Sequence, residues 1–345
     1  MRILFDINHP AHVHNLRHVI DACNGRGWVA RVTARPKDVT ERLLMHYRIP
    51  YSVLTPIGRG RLGALRELVV REARFVRLAR SFRPRVIVGT TVHAGRAGLL
   101  AGARSVVLNE DNVRAVPLFA RLAYPLATAV VTPDCLAHER HGAHHLTYPS
   151  YQELLYLHPN RFAPDASVLG EIGVSPGGYA VVRLSALDAH HDVGVRGMTI
   201  ELVRRVADRV RGQLRLLVTS ERPLAPELEP FRLSIPPERM HDALAFAAFF
   251  LGDSQTMTAE AALLGTPAFR LNDFVGRLSY LEQLESYGLA FGFKPGEEAR
   301  LLDTLDSLLR EPAREPVFAD RRQRVLREKS DPLPWLLDTI ERVAG

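Results

Sequence analysis

The stretch Gly252-Asp-Ser-Gln-Thr-Met-Thr-Ala-Glu-Ala-Ala-Leu-Leu-Gly-Thr-Pro267 decides the fold. It follows an apolar run from Leu244 to Leu251, which is typical of a buried strand. Small polar residues then lead into an amphipathic pattern, and Gly265 marks the point where that pattern ends. The sequence therefore predicts a strand–turn–helix unit, which is the repeating unit of α/β proteins.

The predicted helix begins with Ser254, Gln255, Thr256 and Met257. Free backbone N–H groups and the positive end of the helix dipole make such a terminus fit for a phosphate. Glu260 lies one turn further on, where a carboxylate can accept hydrogen bonds from the paired hydroxyls of a sugar. These parts indicate a nucleotide-sugar site. The same residues are also typical of an ordinary N-cap, and both interpretations stay open on this segment alone.

Strand-like and helix-like patterns alternate through both halves of the chain. The predicted strands are 3–7, 28–33, 51–54, 86–88, 105–108, 129–131, 179–184, 214–219, 249–251 and 268–271. The predicted helices are 13–25, 37–47, 62–82, 95–101, 197–211, 237–247, 257–264 and 276–286. This alternation predicts parallel, doubly wound sheets.

The length of 345 residues exceeds what one core usually supports, so two domains are expected. Prolines cluster between the two halves. We therefore predict domains over 1–150 and 178–331, a linker over 151–177 and a C-terminal helix over 332–345. Two Rossmann-like domains would place the carboxyl ends of their parallel sheets on either side of a central cleft, where open α/β sheets bind ligands.

The composition is that of a soluble globular protein, with 46% hydrophobic and 24% charged residues. No apolar run reaches the ~20 residues that span a bilayer, and the charged start of the chain is typical of a strand rather than a signal peptide. The two cysteines, Cys23 and Cys135, have no metal or redox spacing. A cytoplasmic location is expected.

The net charge of +7 comes almost entirely from arginine, which is densest between Arg59 and Arg85. Apolar residues are interleaved there at helical spacing. Such a basic amphipathic helix is typical either of peripheral contact with an anionic membrane, here at its inner face, or of a solvated helix packed on a sheet. No aromatic interleaving or nucleic-acid motif accompanies the charge, so nucleic acid is not an expected partner.

The N-terminal loop Pro10-Ala-His12-Val-His14 resembles the first loop of the N-acetylglucosaminyltransferase that forms lipid II. That family has Gly-Gly-His-Val at the same strand–helix junction, and His12 falls at its loop histidine. Pro10 and Ala11 replace the two glycines, so the backbone can approach a phosphate less closely here.

The 254–267 segment resembles the same family again. There a polar turn precedes a helix whose glutamate binds the nucleotide ribose, and Glu260 is the matching residue. Asp253 and Ser254 are similar to the start of the Asp-Ser-Gly-Gly turn of UDP-N-acetylglucosamine 2-epimerases, whereas Gln255 departs from both patterns.

The whole chain is most similar to a microbial family of predicted glycosyltransferases related to both groups. The pieces that carry this resemblance are 5–12, 183–192 and 252–257, which fall in both halves. The resemblance implies a GT-B-like fold.

Glycosyl transfer needs a base for the acceptor and positive or dipolar groups that hold the departing diphosphate. The candidate catalytic residues are His12, Glu110 and Asp111. The candidate substrate-binding residues are Asn8, His9, His14, Arg183, Ser185, Ser254, Gln255, Thr256, Met257 and Glu260. The alternatives are structural roles: hydrogen-bonded loop histidines, a cap at the adjacent acids, and an arginine paired with a nearby acid.

No metal site is predicted. The histidines of His138-Glu-Arg-His141-Gly-Ala-His144-His145 have no cysteine with them, and only two share an i, i+3 spacing. Helix termini and arginines can supply the field that a metal would otherwise provide. No cofactor is expected besides a UDP-sugar as substrate.

The sequence thus predicts a metal-independent glycosyltransferase of polysaccharide or glycoconjugate biosynthesis, with a UDP-linked sugar and an unknown acceptor. One alternative is a UDP-sugar 2-epimerase, whose catalytic glutamate Glu110 matches best. Thr90-Thr91 and Arg183 stand where the epimerases have an aspartate and a histidine, which weakens that alternative. A non-catalytic scaffold of the same fold is the second alternative.

Overall fold

The computed structural model describes residues 1–37, 39–58, 60–185, 196–221 and 223–345, without the side chains of 61, 62, 64 and 65. The predictions for Arg59 and for residues 186–192 lie outside the described residues. The chain forms two compact units, the first from Met1–His158 with Ser330–Gly345 and the second from Pro159–Lys329. The division along the chain falls within the segment 151–177 that the sequence predicts as a linker.

The first unit contains a sheet of seven parallel strands. These are β1 (Arg2–Ile7), β2 (Val29–Ala34), β3 (Tyr51–Val53), β4 (Val86–Gly89), β5 (Arg104–Leu108), β6 (Ala129–Pro133) and β7 (His145–Tyr148). Their order is β3-β2-β1-β4-β5-β6-β7. The chain therefore runs outward in opposite directions from β1 and β4, which places the topological switch point between these two strands.

Six helices of the first unit follow the strands in the sequence. They are α1 (Pro10–Gly25), α2 (Thr40–His46), α3 (Gly60–Phe82), α4 (Val92–Ala101), α5 (Pro117–Ala123) and α6 (Leu154–Leu157). α3, α4 and α5 pack as one layer on the central strands through a buried cluster that includes Phe75, Ala94 and Ala120. This apolar layer fixes the strand ends that carry the polar loops.

The second unit has five parallel strands in the order β12-β11-β10-β8-β9. They are β8 (Tyr179–Leu184), β9 (Arg215–Ser220), β10 (Phe249–Gly252), β11 (Ala268–Leu271) and β12 (Ala290–Phe293). Its helices are α7 (Ser167–Ile172), α8 (Ile200–Val210), α9 (Met240–Ala245), α10 (Gln255–Leu264), α11 (Ser279–Ser286), α12 (Glu298–Arg310) and α13 (Arg314–Glu328).

The last helix, α14 (Pro332–Ala344), returns to the first unit and packs against α1, β4 and β5. Asp331 begins it by accepting a hydrogen bond from the backbone N–H of Leu333 at 3.0 Å. Leu336 and Ile340 are buried, so the helix contributes to the core of that unit. None of the described helices is long and apolar enough to cross a membrane.

The predicted fold class, α/β with two Rossmann-like units around parallel sheets, is confirmed. β7 and β12 are not among the predicted strands, and α5, α6, α7, α12 and α13 are not among the predicted helices. The predicted helix over 237–247 is instead a short 3-10 turn, Pro237–Arg239, followed by α9.

Candidate functional site

The carboxyl end of β10 is tied to its neighbours by Asp253, whose side chain is fully buried. Its Oδ1 accepts a hydrogen bond from the backbone N–H of Ser185 at 2.7 Å, and its Oδ2 accepts one from Met198 N–H at 3.2 Å. The side-chain amide of Asn272 donates to the Asp253 carbonyl oxygen at 2.9 Å. The loops after β8 and β11 are therefore held against the start of α10.

Ser254 is the N-cap of α10. Its extended backbone begins the helix, and its side-chain oxygen accepts a hydrogen bond from Met257 N–H at 3.3 Å. One cap satisfies one donor, and the N–H groups of Gln255 and Thr256 have no partner among the described residues at this half-buried terminus. No acidic side chain occupies the first turn. Capping and anion binding are thus compatible at this terminus.

Glycine at position 252 is required by the close packing beneath this turn. A Cβ there would lie 2.7 Å from Phe250 Cζ and 3.0 Å from Arg183 Cβ. The strand can therefore end directly under the helix terminus only without a side chain.

Glu260 is only 4% exposed and lies against His241 of α9. The His241 Nε2 and the Glu260 Oε1 are 2.9 Å apart, and the ring of Phe162 meets the histidine edge-on at 6.1 Å. A buried carboxylate held in this way has one orientation. His241 was missed in the sequence analysis, because its partner stands 19 positions away and no motif marks the pair.

Arg183, at the carboxyl end of β8, forms an ion pair with Glu221 and donates to the Thr219 hydroxyl at 3.0 Å. This pairing is the alternative that the sequence analysis left open for Arg183. Ser185 is buried, and its N–H is the group that Asp253 binds. The roles of both residues in substrate binding stay predictions.

In the first unit, a buried network occupies the switch point between β1 and β4. Both oxygens of Asp6 accept hydrogen bonds: Oδ1 from Thr33 at 2.7 Å and from Arg71 at 2.5 Å, and Oδ2 from Thr91 at 2.8 Å. The Arg71 guanidinium also donates to Asn8 Oδ1 at 2.6 Å. Asn8 is therefore oriented by a cation that is itself only 2% exposed.

Arg71 belongs to the arginine-rich helix α3 and was not among the candidate site residues that the sequence predicted. The spacing 71, 75, 79, 82 matches the buried face of α3, which includes Phe75 and Ala79. That spacing was the signal that could have separated Arg71 from its exposed neighbours.

His12 lies at the start of α1, in the same loop as Asn8. Its Nδ1 accepts a hydrogen bond from the backbone N–H of Asn8 at 3.3 Å. Burial, reinforced by the neighbouring His9, lowers the pKa of His12 to about 3. The ring is therefore neutral near pH 7, and because Nδ1 accepts, the proton resides on Nε2.

The other two predicted histidines have structural contacts. His9 is the N-cap of α1, and its Nδ1 accepts a hydrogen bond from Ala11 N–H at 3.3 Å. His14 is buried between Tyr47 and Tyr156, with ring centroids 5.9 and 5.4 Å away. The roles of both histidines in substrate binding stay predictions.

Glu110 and Asp111 follow β5 in a loop that is held by hydrogen bonds to the side chain of Glu139. The Glu139 carboxylate accepts hydrogen bonds from Val113 N–H and from the Asn112 side chain, both at 3.0 Å. Asn109 donates to the Asp111 carbonyl oxygen at 2.5 Å. A loop held at both ends keeps Glu110 and Asp111 at the carboxyl edge of the sheet.

Tyr148 at the end of β7 is near this loop. Burial, together with the charges of Glu110 and Glu153, raises the pKa of its phenol well above the usual value. The phenol is therefore protonated, and Glu110 shares its surroundings with a neutral O–H group.

The histidines after β6 pack on aromatic rings. The ring of His141 lies 4.7 Å from Tyr124 and 4.8 Å from His145, and His145 meets the Thr132 hydroxyl at 2.8 Å. In the part of the chain that the structure describes, no group of three or more His, Cys, Asp or Glu side chains is arranged to hold a metal ion.

Solved structures with the same fold cover nearly the whole chain. The spinosyn forosaminyltransferase SpnP has a TM-score of 0.65 at 16% identity, with 99% of both chains covered. UDP-GlcNAc 2-epimerase from Neisseria meningitidis, bound to UDP-GlcNAc, has a TM-score of 0.69 at 12% identity, covering 99% of this chain and 100% of the other. The glycosyltransferase VinC, in complex with dTDP, has a TM-score of 0.61 at 16% identity, covering 100% of this chain and 99% of VinC.

No protein-family model and no curated protein sequence matches the chain. At 12 to 16% identity, the likeness to these structures concerns the fold. The chain therefore has the GT-B-like fold that solved glycosyltransferases and UDP-GlcNAc 2-epimerases share.

Proposed function

We propose that the protein is a glycosyltransferase that takes its sugar from a nucleotide donor, expected to be UDP-linked, in polysaccharide or glycoconjugate biosynthesis. The observation that carries the proposal is the start of α10, where Ser254 caps one N–H and the N–H groups of Gln255 and Thr256 have no partner in the part of the chain that the structure describes. Helix N-termini with free donors stabilise phosphate. Neighbouring structures with this fold were solved with UDP-GlcNAc and with dTDP.

Glu260 supports a nucleoside rather than a free phosphate as the ligand. It lies on the same helix as the phosphate-binding terminus, and His241 holds its carboxylate in one orientation at 2.9 Å. A fixed carboxylate can accept hydrogen bonds from both hydroxyls of a ribose. The departing diphosphate would then be stabilised by backbone dipoles, so no metal is needed for this role.

The first unit is proposed to bind the acceptor through the residues at the carboxyl ends of β1 and β5. His12 suits the role of a hydrogen-bond donor, because its Nδ1 already accepts from Asn8 N–H and its Nε2 carries the proton. Glu110 is then the better candidate for the base that removes the acceptor's proton, with Asp111 beside it.

The first experiment is a thermal-shift screen against UDP, GDP, dTDP, CMP and ADP, with and without attached sugars. Selective stabilisation by one nucleotide is expected, because a ligand that binds only the native state raises the melting temperature. If none stabilises the protein at millimolar concentration, the nucleotide-sugar proposal fails and the scaffold of the same fold takes its place.

Variants at Glu260 test the ribose contact. Glu260→Ala should weaken nucleotide binding by about 1.5–3 kcal/mol, the value of hydrogen bonds to a charged group. His241→Ala should weaken binding as well, and the double variant should lose little more than either single one, because both act through one carboxylate. An unchanged affinity in folded Glu260→Ala would remove this residue from the site.

A UDP-sugar 2-epimerase is the second candidate, and the Asp253-Ser254 turn and the position of Glu110 after β5 favour it. An epimerase acts on its nucleotide sugar without an acceptor. Incubation with UDP-GlcNAc alone separates the two: a changed sugar or released UDP indicates an epimerase, whereas a strict transferase leaves the substrate intact.

We also propose a cytoplasmic protein in peripheral contact with an anionic membrane through the layer of α3, α4 and α5. Exposed apolar side chains on this layer include Val69, Leu99 and Leu118, which are 61%, 67% and 64% exposed. Exposed arginines on the same helices include Arg66, Arg74, Arg77 and Arg121. Apolar and cationic groups on one face are the combination that interfacial binding requires.

A further inference from the structure

A second cationic feature lies at the amino-terminal edge of the first unit's sheet, opposite the edge that carries His12 and Glu110. A wide pocket of about 970 Å³ opens there. The arginines that line it are Arg2, Arg80, Arg83, Arg85 and Arg104. We call this feature the arginine pocket.

Three of these arginines stand side by side because they begin neighbouring strands. The backbone N–H of Arg85 donates to the Arg2 carbonyl oxygen at 2.8 Å, and Arg104 N–H donates to the Arg85 carbonyl oxygen at 3.0 Å. Adjacent parallel strands lie about 4.8 Å apart. The backbones of these three arginines therefore meet at one edge of the sheet, and all three residues line the same pocket.

Helix capping explains only two of the five. Arg80 donates twice to the Leu100 carbonyl oxygen at the end of α4, at 3.1 and 3.0 Å. Arg85 donates to the carbonyl oxygens of Ala344 and Gly345 at the end of α14, at 2.6 and 2.9 Å. These bonds satisfy the last carbonyls of two helices, as arginines at helix C-termini commonly do.

The remaining charges are not compensated. Arg83 and Arg104 are exposed, and their side chains have no hydrogen-bond or ion-pair partner among the described residues. Arg2 lies over the Phe82 ring at 5.9 Å. The acid that lines the pocket, Glu341, already pairs with Arg26 at 3.2 Å. Helix capping therefore explains the positions of Arg80 and Arg85, and the pocket keeps an excess of positive charge over negative charge.

We propose that the arginine pocket, at the amino-terminal edge of the first unit's sheet, binds a soluble small molecule that carries two or more linked phosphoryl groups. Guanidinium groups bind phosphate oxygens in pairs, and a row of them suits a chain of phosphates better than a single one. The pocket is independent of the proposed transfer reaction, so its ligand need not be a substrate.

The test is calorimetric titration of the full chain with inorganic tripolyphosphate, which has no nucleoside. The variant Arg83→Gln/Arg104→Gln removes the two charges whose side chains have no partner among the described residues and keeps a polar side chain at each position. Arg66→Gln/Arg77→Gln removes two exposed charges from the solvent face of α3 and has the same net charge. We expect the pocket variant to weaken tripolyphosphate binding by about tenfold or more, whereas the control variant binds like the wild type.

Three results would overturn the proposal. Equal weakening in both variants would mean a general charge effect. Orthophosphate that binds as tightly as tripolyphosphate would exclude a ligand with linked phosphoryl groups. Binding to phosphatidylglycerol vesicles that is lost only in the pocket variant, without tripolyphosphate binding to the wild type, would identify a lipid surface as the occupant instead.

Discussion

At the scale of single residues, the two ring nitrogens of His12 have different tasks. Nδ1 accepts the backbone N–H of Asn8 at 3.3 Å, so the proton lies on Nε2. In the proposed transfer reaction, His12 therefore acts as an N–H donor to substrate. We expect His12→Ala to slow turnover by about 100-fold, the usual cost of a lost donor at a developing charge.

His12→Gln is the matched control, because glutamine carries both an acceptor and an N–H donor. Turnover within about tenfold of the wild type is expected for this variant, since one positioned donor is worth 10²–10³. If His12 were the general base, both variants would be equally slow. A steady-state assay with the donor identified by thermal shift separates the two roles.

The protonation of His12 also links stability to pH. Its folded pKa of about 3 lies below the ordinary value of 6.5, so the unfolded chain binds the proton more readily between these values. Above pH 6.5 this contribution to the free energy of unfolding is fully present, and it is lost as the pH falls from 6.5 toward 3. Urea unfolding at several pH values gives the free energy of unfolding as a function of pH. Between pH 6.5 and 3 this free energy should fall less steeply in His12→Gln than in the wild type, and an equally steep fall would contradict the lowered pKa of His12.

Residue types at both candidate sites were predictable, but their partners were not. The sequence indicated Glu260 and Asn8 from the loops and helices on which they lie. Their supports, His241 and Arg71, come from other helices, and Arg71 is separated from Asp6 by 65 positions. Such pairs depend on how helices and strands distant in the sequence pack together, and a local sequence pattern does not predict this packing.

At the scale of elements, helix capping and phosphate binding at the start of α10 can be tested separately. Ser254→Ala removes the side-chain acceptor for Met257 N–H and should lower the free energy of unfolding by about 1 kcal/mol. Ser254→Gly should lower the free energy of unfolding by only about a few tenths of a kcal/mol, because glycine is tolerated at an N-cap. Urea unfolding of both variants checks this difference.

Nucleotide binding by the same two variants tests where the phosphate is held. If the backbone N–H groups of Gln255 and Thr256 bind it, Ser254→Gly keeps nearly the wild-type affinity. If the serine hydroxyl binds it, both variants lose affinity equally, and the helix-terminus proposal would need revision.

Elements with strong local signals were predicted correctly. Gly265 ends α10 in the left-handed conformation, with φ of +90°, as its place after the amphipathic pattern indicated. β12 was missed because it has four residues and contains Gly292, whose missing side chain leaves room for Glu285. A strand of that kind is defined by its neighbour β11 rather than by its own sequence.

At the scale of the whole molecule, arginines are found on two surfaces of the first unit, the face of α3, α4 and α5 and the arginine pocket. The face of α3, α4 and α5 combines arginines with exposed leucines, whereas the arginine pocket contains few exposed apolar groups. The two surfaces should therefore differ in what they bind.

Flotation with phosphatidylglycerol vesicles tests the membrane proposal for the α3–α5 face. Each arginine near an anionic surface is worth about 1 kcal/mol, so Arg66→Gln/Arg77→Gln should lower vesicle binding by about 30-fold. The pocket variant Arg83→Gln/Arg104→Gln now serves as the control and should bind vesicles like the wild type. Binding should weaken as salt rises from 0.05 to 0.5 M, on the order of the range over which screening acts, and should be absent with neutral lipid. Equal loss in both variants would show that general charge, and not this face, attracts the membrane.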